Sequence, residues 1–242
     1  LSFQTKTTNI GKSLFENNVA QIAPAAATLQ PATAGAYGSI DVMGLACTSM
    51  SLVVGPTVID QEIRRGYPAV THTTNMATAV VQACLHTVGS NLGVLTPYNR
   101  DLHNACLEFL KRHGLTVVSD HTFDIDEDER VAAIAPQSIR NAVEQHLVRD
   151  HVDMYVIVCS SLRTMEPGCI QGLEASVQRP VITSTQAMIW HTLRVAGISD
   201  GMQGYGSLLH GSESTQKRSP RHRSRGRLEE RDYAAGSIHT TA

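Results

Sequence analysis

Short apolar runs alternate with longer helix-like segments along most of the chain, beginning near residue 39. Runs of strand length lie at 39–47, 68–72, 91–96, 115–120, 152–160 and 180–184. Helices are predicted at 75–89, 98–114, 136–150, 166–177 and 184–197. This alternation predicts an α/β fold, in which helices cover both faces of a parallel sheet. Such sheets bind ligands at the carboxyl ends of their strands, so we expect the functional residues there.

The first 38 residues fit this alternation less well. A helix is predicted over about 13–29 and a loop over 31–38, and the pattern predicts no strand before residue 39. The first predicted helix therefore has no strand ahead of it, although an α/β unit normally begins with one.

Composition is that of a folded protein with a substantial core. The chain has 242 residues, of which 42% are apolar and 17% charged. These values fit one large or two small domains and exclude a mostly disordered protein. We expect no membrane partner, because no apolar run approaches the ~20 residues that cross a bilayer. Five cysteines without a CxxC motif, and an opening segment unlike a secretory signal, predict a reduced, cytoplasmic protein.

Charge is unevenly distributed along the chain. Residues 211–242 contain seven Lys or Arg and four Asp or Glu, so this segment carries +3 and residues 1–210 carry −5. Its composition predicts a disordered basic tail. No aromatic residues interleave its arginines, so no nucleic-acid partner is expected.

Two strand ends carry the same pattern, an apolar run that delivers a cysteine followed by two hydroxyl residues. The two sets are Cys47 with Thr48 and Ser49, and Cys159 with Ser160 and Ser161. Hydroxyl residues there can cap a following helix, whose free N–H groups and dipole favour a bound carboxylate. The same positive end would lower the pKa of a thiol. Two such sites suggest facing thiols, one acting as base or nucleophile and the other as acid. Ordinary buried cysteines remain the alternative, since free cysteine is commonly buried.

Other signals are weaker. The histidines nowhere show the spacing of a zinc site, so no metal is expected. The acidic run at 124–130 is predicted to be a solvated loop. Cys84, Cys106 and Cys169 are predicted to be packing residues on helices.

Four separated segments resemble the Asp/Glu racemase superfamily, especially its maleate cis–trans isomerases and ectoine-utilisation proteins, with arylmalonate decarboxylase a further relative. They are LACTSMSLVVG (45–55), GVLTPYNRDLHNACLEFLKRHGLTVV (93–118), VIVCSSLRT (156–164) and RPVITSTQAMIWHTLRVAGI (179–198). The resemblance implies two flavodoxin-like α/β lobes with parallel sheets, related by a pseudo-twofold axis. It divides the chain into a first lobe of 1–90 plus 191–210 and a second lobe of 91–190.

The resemblance also implies a cofactor-independent isomerase that converts a small dicarboxylate, as maleate is converted to fumarate. Cys47 would be the nucleophile and Cys159 the acid/base partner. Thr48, Ser49, Tyr98, Ser160 and Ser161 would bind the substrate carboxylates. The decarboxylase branch keeps only the second cysteine, so Cys47 favours isomerase or racemase chemistry.

One departure from the family leaves alternatives open. Family members begin with a strand whose following loop supplies a polar residue to the site, and the sequence pattern predicts no such strand in this chain. An Asp/Glu-type amino-acid racemase and a non-catalytic carboxylate-binding descendant are therefore alternatives to the dicarboxylate isomerase. The oligomeric state is also open, with a homo-oligomer as one option.

Overall fold

The computed structural model describes residues 12–33 and 40–210. The predicted disordered tail at 211–242 and most of the predicted loop at 31–38 lie outside the described residues. Within the described ranges, no helix has the length and apolar character needed to span a bilayer.

The first part of the chain forms a small parallel sheet with helices around it. Its elements are α1 (Lys12–Thr33), β1 (Val42–Leu45), α2 (Thr48–Val54), α3 (Pro56–Gly66), β2 (His72–Asn75) and α4 (Met76–His86). β1 and β2 pair in parallel, with Val42 opposite His72 and Leu45 opposite Asn75. Helix α1 is the described element that precedes β1, and residues 1–11 and 34–39, which the expectation of no strand before residue 39 also covers, lie outside the described residues.

The second part forms a four-stranded parallel sheet in the order β4-β3-β5-β6. Its elements are β3 (Asn91–Tyr98), α5 (Arg100–Arg112), β4 (Thr116–Ile125), α6 (Asp128–Ala132), α7 (Pro136–Ala142), β5 (Met154–Ile157), α8 (Cys169–Val177), β6 (Val181–Thr183) and α9 (Ser184–Val195). A π-helical turn, Val143–Leu147, continues α7, and a 3-10 turn, Ser207–Leu209, follows α9. The protein therefore has the predicted α/β fold with parallel sheets.

Burial explains why the sequences of the central strands are continuous apolar runs. All four residues of β5 are buried, as is expected for a strand with helices on both faces of its sheet. One core surrounds the second sheet and includes α4 and α9, where the rings of His86 and Trp190 lie 4.9 Å apart. A smaller core joins α1, β1 and α3 through Ile22, Met43 and Ile63.

Several element boundaries differ from the predicted ones. Residues 68–72 form a turn, in which the Val70 N–H donates to the Tyr67 carbonyl, and β2 starts only at His72. Strand β4 runs to Ile125, beyond the predicted end at residue 120, because its polar second half still pairs with β3. The acidic run at 124–130 is therefore the end of β4 and the start of α6, and the prediction of a solvated loop there is wrong.

Candidate active site

The first predicted cysteine lies where β1 passes into α2. Cys47 is the N-cap residue of α2 in an extended conformation, and its side chain makes no capping hydrogen bond. The Ser49 Oγ lies 3.5 Å from its Sγ, and the Ser51 hydroxyl donates to its carbonyl oxygen at 2.6 Å. Cys47 is half-buried and lines a cavity of about 960 Å³.

Helix α2 shares an uncapped start with α6 and α8 and differs in this from α4, α5 and α9. Asn75, Asn99 and Thr183 cap α4, α5 and α9 by accepting a hydrogen bond from a first-turn N–H group. A helix leaves its first N–H groups without partners inside the helix, so the uncapped first turn of α2 keeps donors available for a ligand.

The second predicted cysteine lies directly after the buried strand β5. The Cys159 N–H donates to the Ser184 Oγ at 3.1 Å, which ties this strand end to the start of α9. The Ser161 N–H donates to the Cys159 Sγ at 3.4 Å. In both sites, therefore, the serine two positions after the cysteine contacts the thiol.

The helix predicted at 166–177 forms as α8, but it begins too far along the chain for Ser160 and Ser161 to cap it. Residues 160–168 make turns, and α8 begins only at Cys169, after Gly168 in a left-handed conformation. The expectation that Ser160 and Ser161 cap a helix is wrong, because Pro167 and Gly168 delay the helix start. No helix dipole then acts on the Cys159 thiol from its own segment.

The pKa of Cys159 moves opposite to the prediction. Burial raises the pKa of this thiol to about 11, against the opposing effects of the Ser161 N–H and the Tyr98 hydroxyl. The thiol is only 5% exposed, so its ionised form would lose most of its hydration. Cys159 is consequently a protonated thiol at neutral pH, suited to donating a proton rather than to attacking a substrate.

Tyr98, the last residue of β3, lies close to both thiols. Burial and then the thiols of Cys159, Cys106 and Cys47 raise the pKa of Tyr98 well above its ordinary value. The hydroxyl is close enough to the Cys159 thiol for each group to affect the pKa of the other. This oxygen has no hydrogen-bond partner among the described residues. A buried hydroxyl without a protein partner is costly, so this oxygen is available to hydrogen-bond a water molecule or a ligand.

The cavity of about 960 Å³ is lined by three of the predicted site residues, Cys47, Ser160 and Ser161, whereas Thr48, Ser49, Tyr98 and Cys159 are not among its lining residues. Its walls are β1 with Cys47, one face of α1, Ile63 of α3, the start of α6, and Ser160 with Ser161. Thr48 is placed differently from the prediction, because its hydroxyl donates to the Met76 Sδ at 3.1 Å and so packs inside the fold. Its backbone N–H in the first turn of α2 is the group that a ligand could use.

Two charged residues that line the cavity lie in the segment that the sequence predicts to be a loop. Asp128 and Glu129 begin α6 and line the cavity. Burial, followed by the neighbouring Glu129, raises the pKa of Asp128. Both residues follow the carboxyl end of β4, and α/β sheets bind ligands at such ends. A sequence prediction that placed the end of β4 at Ile125 would therefore have indicated Asp128 and Glu129 as candidate site residues.

The described residues contain no group of three His, Cys, Asp or Glu side chains placed to hold a metal ion. Of the other three cysteines, Cys84 and Cys106 are buried in helices, as predicted, and burial raises the pKa of each to about 12. Cys169 is only half-buried and lines a separate small cavity beside Arg140.

Comparison with known proteins identifies relatives of the predicted kind. Over 180 residues the chain is 22% identical to a maleate isomerase from Pseudomonas putida, covering 72% of this chain and 71% of that protein. This similarity confirms the resemblance to the Asp/Glu racemase-like superfamily.

Two solved structures share the fold. A cysteine-to-alanine variant of the Pseudomonas putida maleate isomerase Iso, bound to maleate, matches with a TM-score of 0.73 and 21% identity over 84% of this chain and 80% of that one. A cysteine-to-serine variant of the Nocardia farcinica maleate cis–trans isomerase, with a covalently bound succinylcysteine intermediate, matches with a TM-score of 0.71 and 19% identity, covering 83% and 81%. These matches confirm the predicted two-lobe α/β fold. The family model of arylmalonate decarboxylase (Amdase) matches residues 6–209, and the chain therefore belongs to this family.

Proposed function

We propose that this protein is a cofactor-independent isomerase of a small dicarboxylate, with Cys47 as nucleophile and Cys159 as acid/base partner. The observation that carries the proposal is the buried Tyr98 hydroxyl, which has no hydrogen-bond partner among the described residues and lies close to both thiols. A substrate carboxylate would accept its hydrogen bond. The cofactor-independent enzymes of the family support the reaction class.

The proposed reaction needs no group beyond the two thiols. The Cys47 thiolate adds to one carbon of the double bond, and the displaced electron pair takes a proton from the Cys159 thiol at the other carbon. Rotation about the resulting single bond changes the geometry. Return of the proton to the Cys159 thiolate then re-forms the double bond and expels Cys47. The high pKa of Cys159 fits this order of events, since that thiol starts protonated.

The substrate would be held mainly by N–H and hydroxyl donors. The first turn of α2 offers N–H groups, and Tyr98, Ser49, Ser160 and Ser161 offer hydroxyl groups. Donors fixed by the fold stabilise the charge that develops on a carboxylate when the neighbouring carbon gains electrons. Thr48 would contribute through its N–H group, because its hydroxyl is engaged with Met76.

The proposal is tested by proton NMR of the purified protein with maleate, and then with aspartate and glutamate in deuterium oxide. We expect fumarate to form from maleate. Cys47→Ser should abolish this conversion, and Cys159→Ser should slow it about a hundredfold or more, the usual contribution of a general acid. Cys169→Ser is the matched control, because Cys169 is also half-buried but lies outside the large cavity.

Each other outcome has a distinct meaning. Unchanged turnover in both Cys47→Ser and Cys159→Ser would disprove the two-thiol mechanism. Deuterium entering the α-position of an amino acid would replace the cis–trans reaction with racemisation by the same thiols. Binding without any conversion would identify a non-catalytic carboxylate-binding protein.

A further inference from the structure

We propose that His103, paired with Asp120, is a positioning residue that holds Tyr98 in place through the hydroxyl groups of two threonines. The inference rests on the proposed function for the role of Tyr98, whose hydroxyl is there proposed to bind the substrate. The hydrogen bonds themselves do not depend on that role, so they can be tested separately. His103 and Asp120 take no part in the proposed chemistry.

A continuous set of hydrogen bonds joins α5 to the carboxyl end of β3. His103, on α5, is only 1% exposed, and its Nε2 lies 3.0 Å from the Asp120 Oδ2 on β4. Its Nδ1 lies 2.9 Å from the Thr96 Oγ1 on β3. The Thr96 Oγ1 lies 3.2 Å from the Thr122 Oγ1, and the Thr122 hydroxyl donates to the Tyr98 carbonyl oxygen. The set therefore ends on the backbone of the tyrosine.

The strand pairing is irregular at this end of β3. The residue between Thr96 and Tyr98 is Pro97, which has no N–H group to donate. From Thr96 to Tyr98 the chain advances two residues, while the partners on β4 advance three, from Thr122 to Ile125. Such a bulge changes the direction of the side chains beside it. The position of Tyr98 therefore depends on the threonine hydroxyl groups as well as on the ladder.

The donors and acceptors of this set can be assigned from its end. A carbonyl oxygen only accepts, so the single hydroxyl hydrogen of Thr122 goes to Tyr98. The Thr96 hydroxyl must then donate to the Thr122 Oγ1, which leaves the Thr96 oxygen as an acceptor for His103. The Asp120 carboxylate also only accepts. His103 therefore donates from both ring nitrogens, and the charged ring forms an ion pair with Asp120.

Asp120 supplies the counter-charge for this ring. The titratable neighbours of His103 also include His121 on β4, and Arg100 and Cys106 about one turn away on α5. Burial lowers the pKa of His121 and raises that of Cys106 to about 12, so both are uncharged at neutral pH. Helix α2 and strand β3, which also pack against α5, contain no carboxylate or histidine. Because an uncompensated charge on a buried ring is costly, donation from both nitrogens depends on Asp120.

NMR of the protein with isotope-labelled histidine at pH 7 tests the assigned directions. His103→Gln identifies the signals of this ring among the eleven histidines. We expect both ring nitrogens of His103 to carry a hydrogen. Asp120→Asn replaces an exposed carboxylate and should leave a hydrogen on one nitrogen only. Asp101→Asn is the matched control, because it removes an exposed carboxylate from the first turn of α5 and should leave both hydrogens in place.

Thr122→Val and Thr122→Ser test the connection to Tyr98. Valine has the shape of threonine without the hydroxyl, so the ring signal of Tyr98 in tyrosine-labelled protein should shift in Thr122→Val and return in Thr122→Ser. Turnover of maleate by Thr122→Val should show a kcat lowered about tenfold at a similar KM, because a displaced donor costs most in the transition state. Thr122→Ser should restore most of this loss.

The outcomes separate this inference from the proposed function. A single hydrogen on the His103 ring in the unmodified protein, or an unchanged Tyr98 signal or kcat in Thr122→Val, would overturn the inference. If Thr122→Val does not fold, Asp120→Asn gives the same comparison at an exposed residue, and an unchanged Tyr98 signal there would count equally against it. The expected His103 and Tyr98 signals in a protein that does not convert maleate would refute the proposed function and leave the inference supported.

Discussion

At the scale of single residues, two similar sequence patterns create different environments. Cys47 is half-buried on the cavity wall at an uncapped helix start. Cys159 is buried after a strand that leads into turns, and burial raises the pKa of its thiol to about 11. A pair of thiols with such unequal surroundings favours unequal roles, because the accessible thiol can attack while the buried one keeps its proton.

Tyr98→Phe tests whether the buried hydroxyl is present for a ligand. Removing a buried hydroxyl without a hydrogen-bond partner should not lower the free energy of unfolding, and should raise it by about 1 kcal/mol. Turnover of the substrate should fall about a hundredfold, because a carboxylate loses a fixed donor. Urea unfolding and NMR turnover measure the two effects on the same sample.

Tyr155→Phe provides the control for this variant. Tyr155 is also a buried tyrosine on a strand of the second sheet, but the groups that affect its pKa besides burial are Arg179 and Arg149 rather than the thiols of Cys47 and Cys159. We expect turnover to stay near that of the unmodified protein. If Tyr98→Phe were destabilising and left turnover unchanged, the hydroxyl would have a structural role and the proposed contact with substrate would be wrong.

At the scale of elements, the cavity depends on the close approach of α1 to α3. A Cβ added at Gly66 would lie 2.1 Å from the Ala23 carbonyl oxygen, so Gly66→Ala must push the two helices apart. Because backbone cannot move aside easily, we expect a loss of about 2 kcal/mol in the free energy of unfolding, as in other overpacked sites. Urea denaturation measures this loss.

Gly172→Ala is the matched control for the helix contact. Its added Cβ would meet the end of the Arg140 side chain at 2.4 Å, and a flexible side chain can move away. Alanine also has a higher helix propensity than glycine, by about 1 kcal/mol. We therefore expect Gly172→Ala to be neutral or stabilising. An equal loss in the free energy of unfolding in both variants would show that the backbone contact at Gly66 does not cause the loss.

The sequence predicts the alternation of elements better than their ends. The sequence predicts apolar strands such as β5 because every residue of β5 is buried, and a fully buried strand is a continuous apolar run. The second half of β4 was missed because it is polar and half-exposed, although its pairing with β3 continues to Ile125. The turn at 68–72 was predicted as a strand because Val70 packs into the small core like a strand residue.

The sequence also predicts the positions of the two site cysteines but not their surroundings. Strand ends and the repeated cysteine pattern located Cys47 and Cys159, because the carboxyl edge of a parallel sheet is set by topology. Burial of the second thiol, the engagement of Thr48 with Met76 and the lining role of Asp128 depend on tertiary packing. None of these three features leaves a local signal in the sequence.

At the scale of the whole molecule, the two sheets are unequal. The first sheet has two strands in the described residues, and five successive residues, Met43 to Cys47, line the cavity. The second sheet has four strands and carries most of the core. The cavity is therefore lined mainly by the first part of the chain, with α1 as one of its walls.

Buried thiols make the whole fold sensitive to alkaline pH. Burial raises the pKa of Cys84 and of Cys106 to about 12, and that of Cys159 to about 11. Since these values lie above the ordinary thiol pKa of about 9, the unfolded chain releases these protons first as the pH rises. Their contribution to stability is complete below about pH 9 and is lost progressively towards pH 12. Each thiol should lower the free energy of unfolding by roughly 1 kcal/mol per pH unit in that range.

Urea unfolding at pH 7, 8, 9 and 10 measures this dependence. The unmodified protein should be nearly constant up to pH 8 and should then lose stability steeply. The double variant Cys84→Ala/Cys106→Ala lacks two of the three buried thiols, so its free energy of unfolding should fall less steeply above pH 9. The small cavities that the substitutions create should lower the free energy of unfolding at every pH. The slope is the decisive quantity, because packing losses shift the whole curve whereas thiol ionisation changes only its alkaline part. Parallel slopes would mean that Cys84 and Cys106 ionise as readily in the folded protein as in the unfolded chain, and burial would then not raise the pKa of these two thiols.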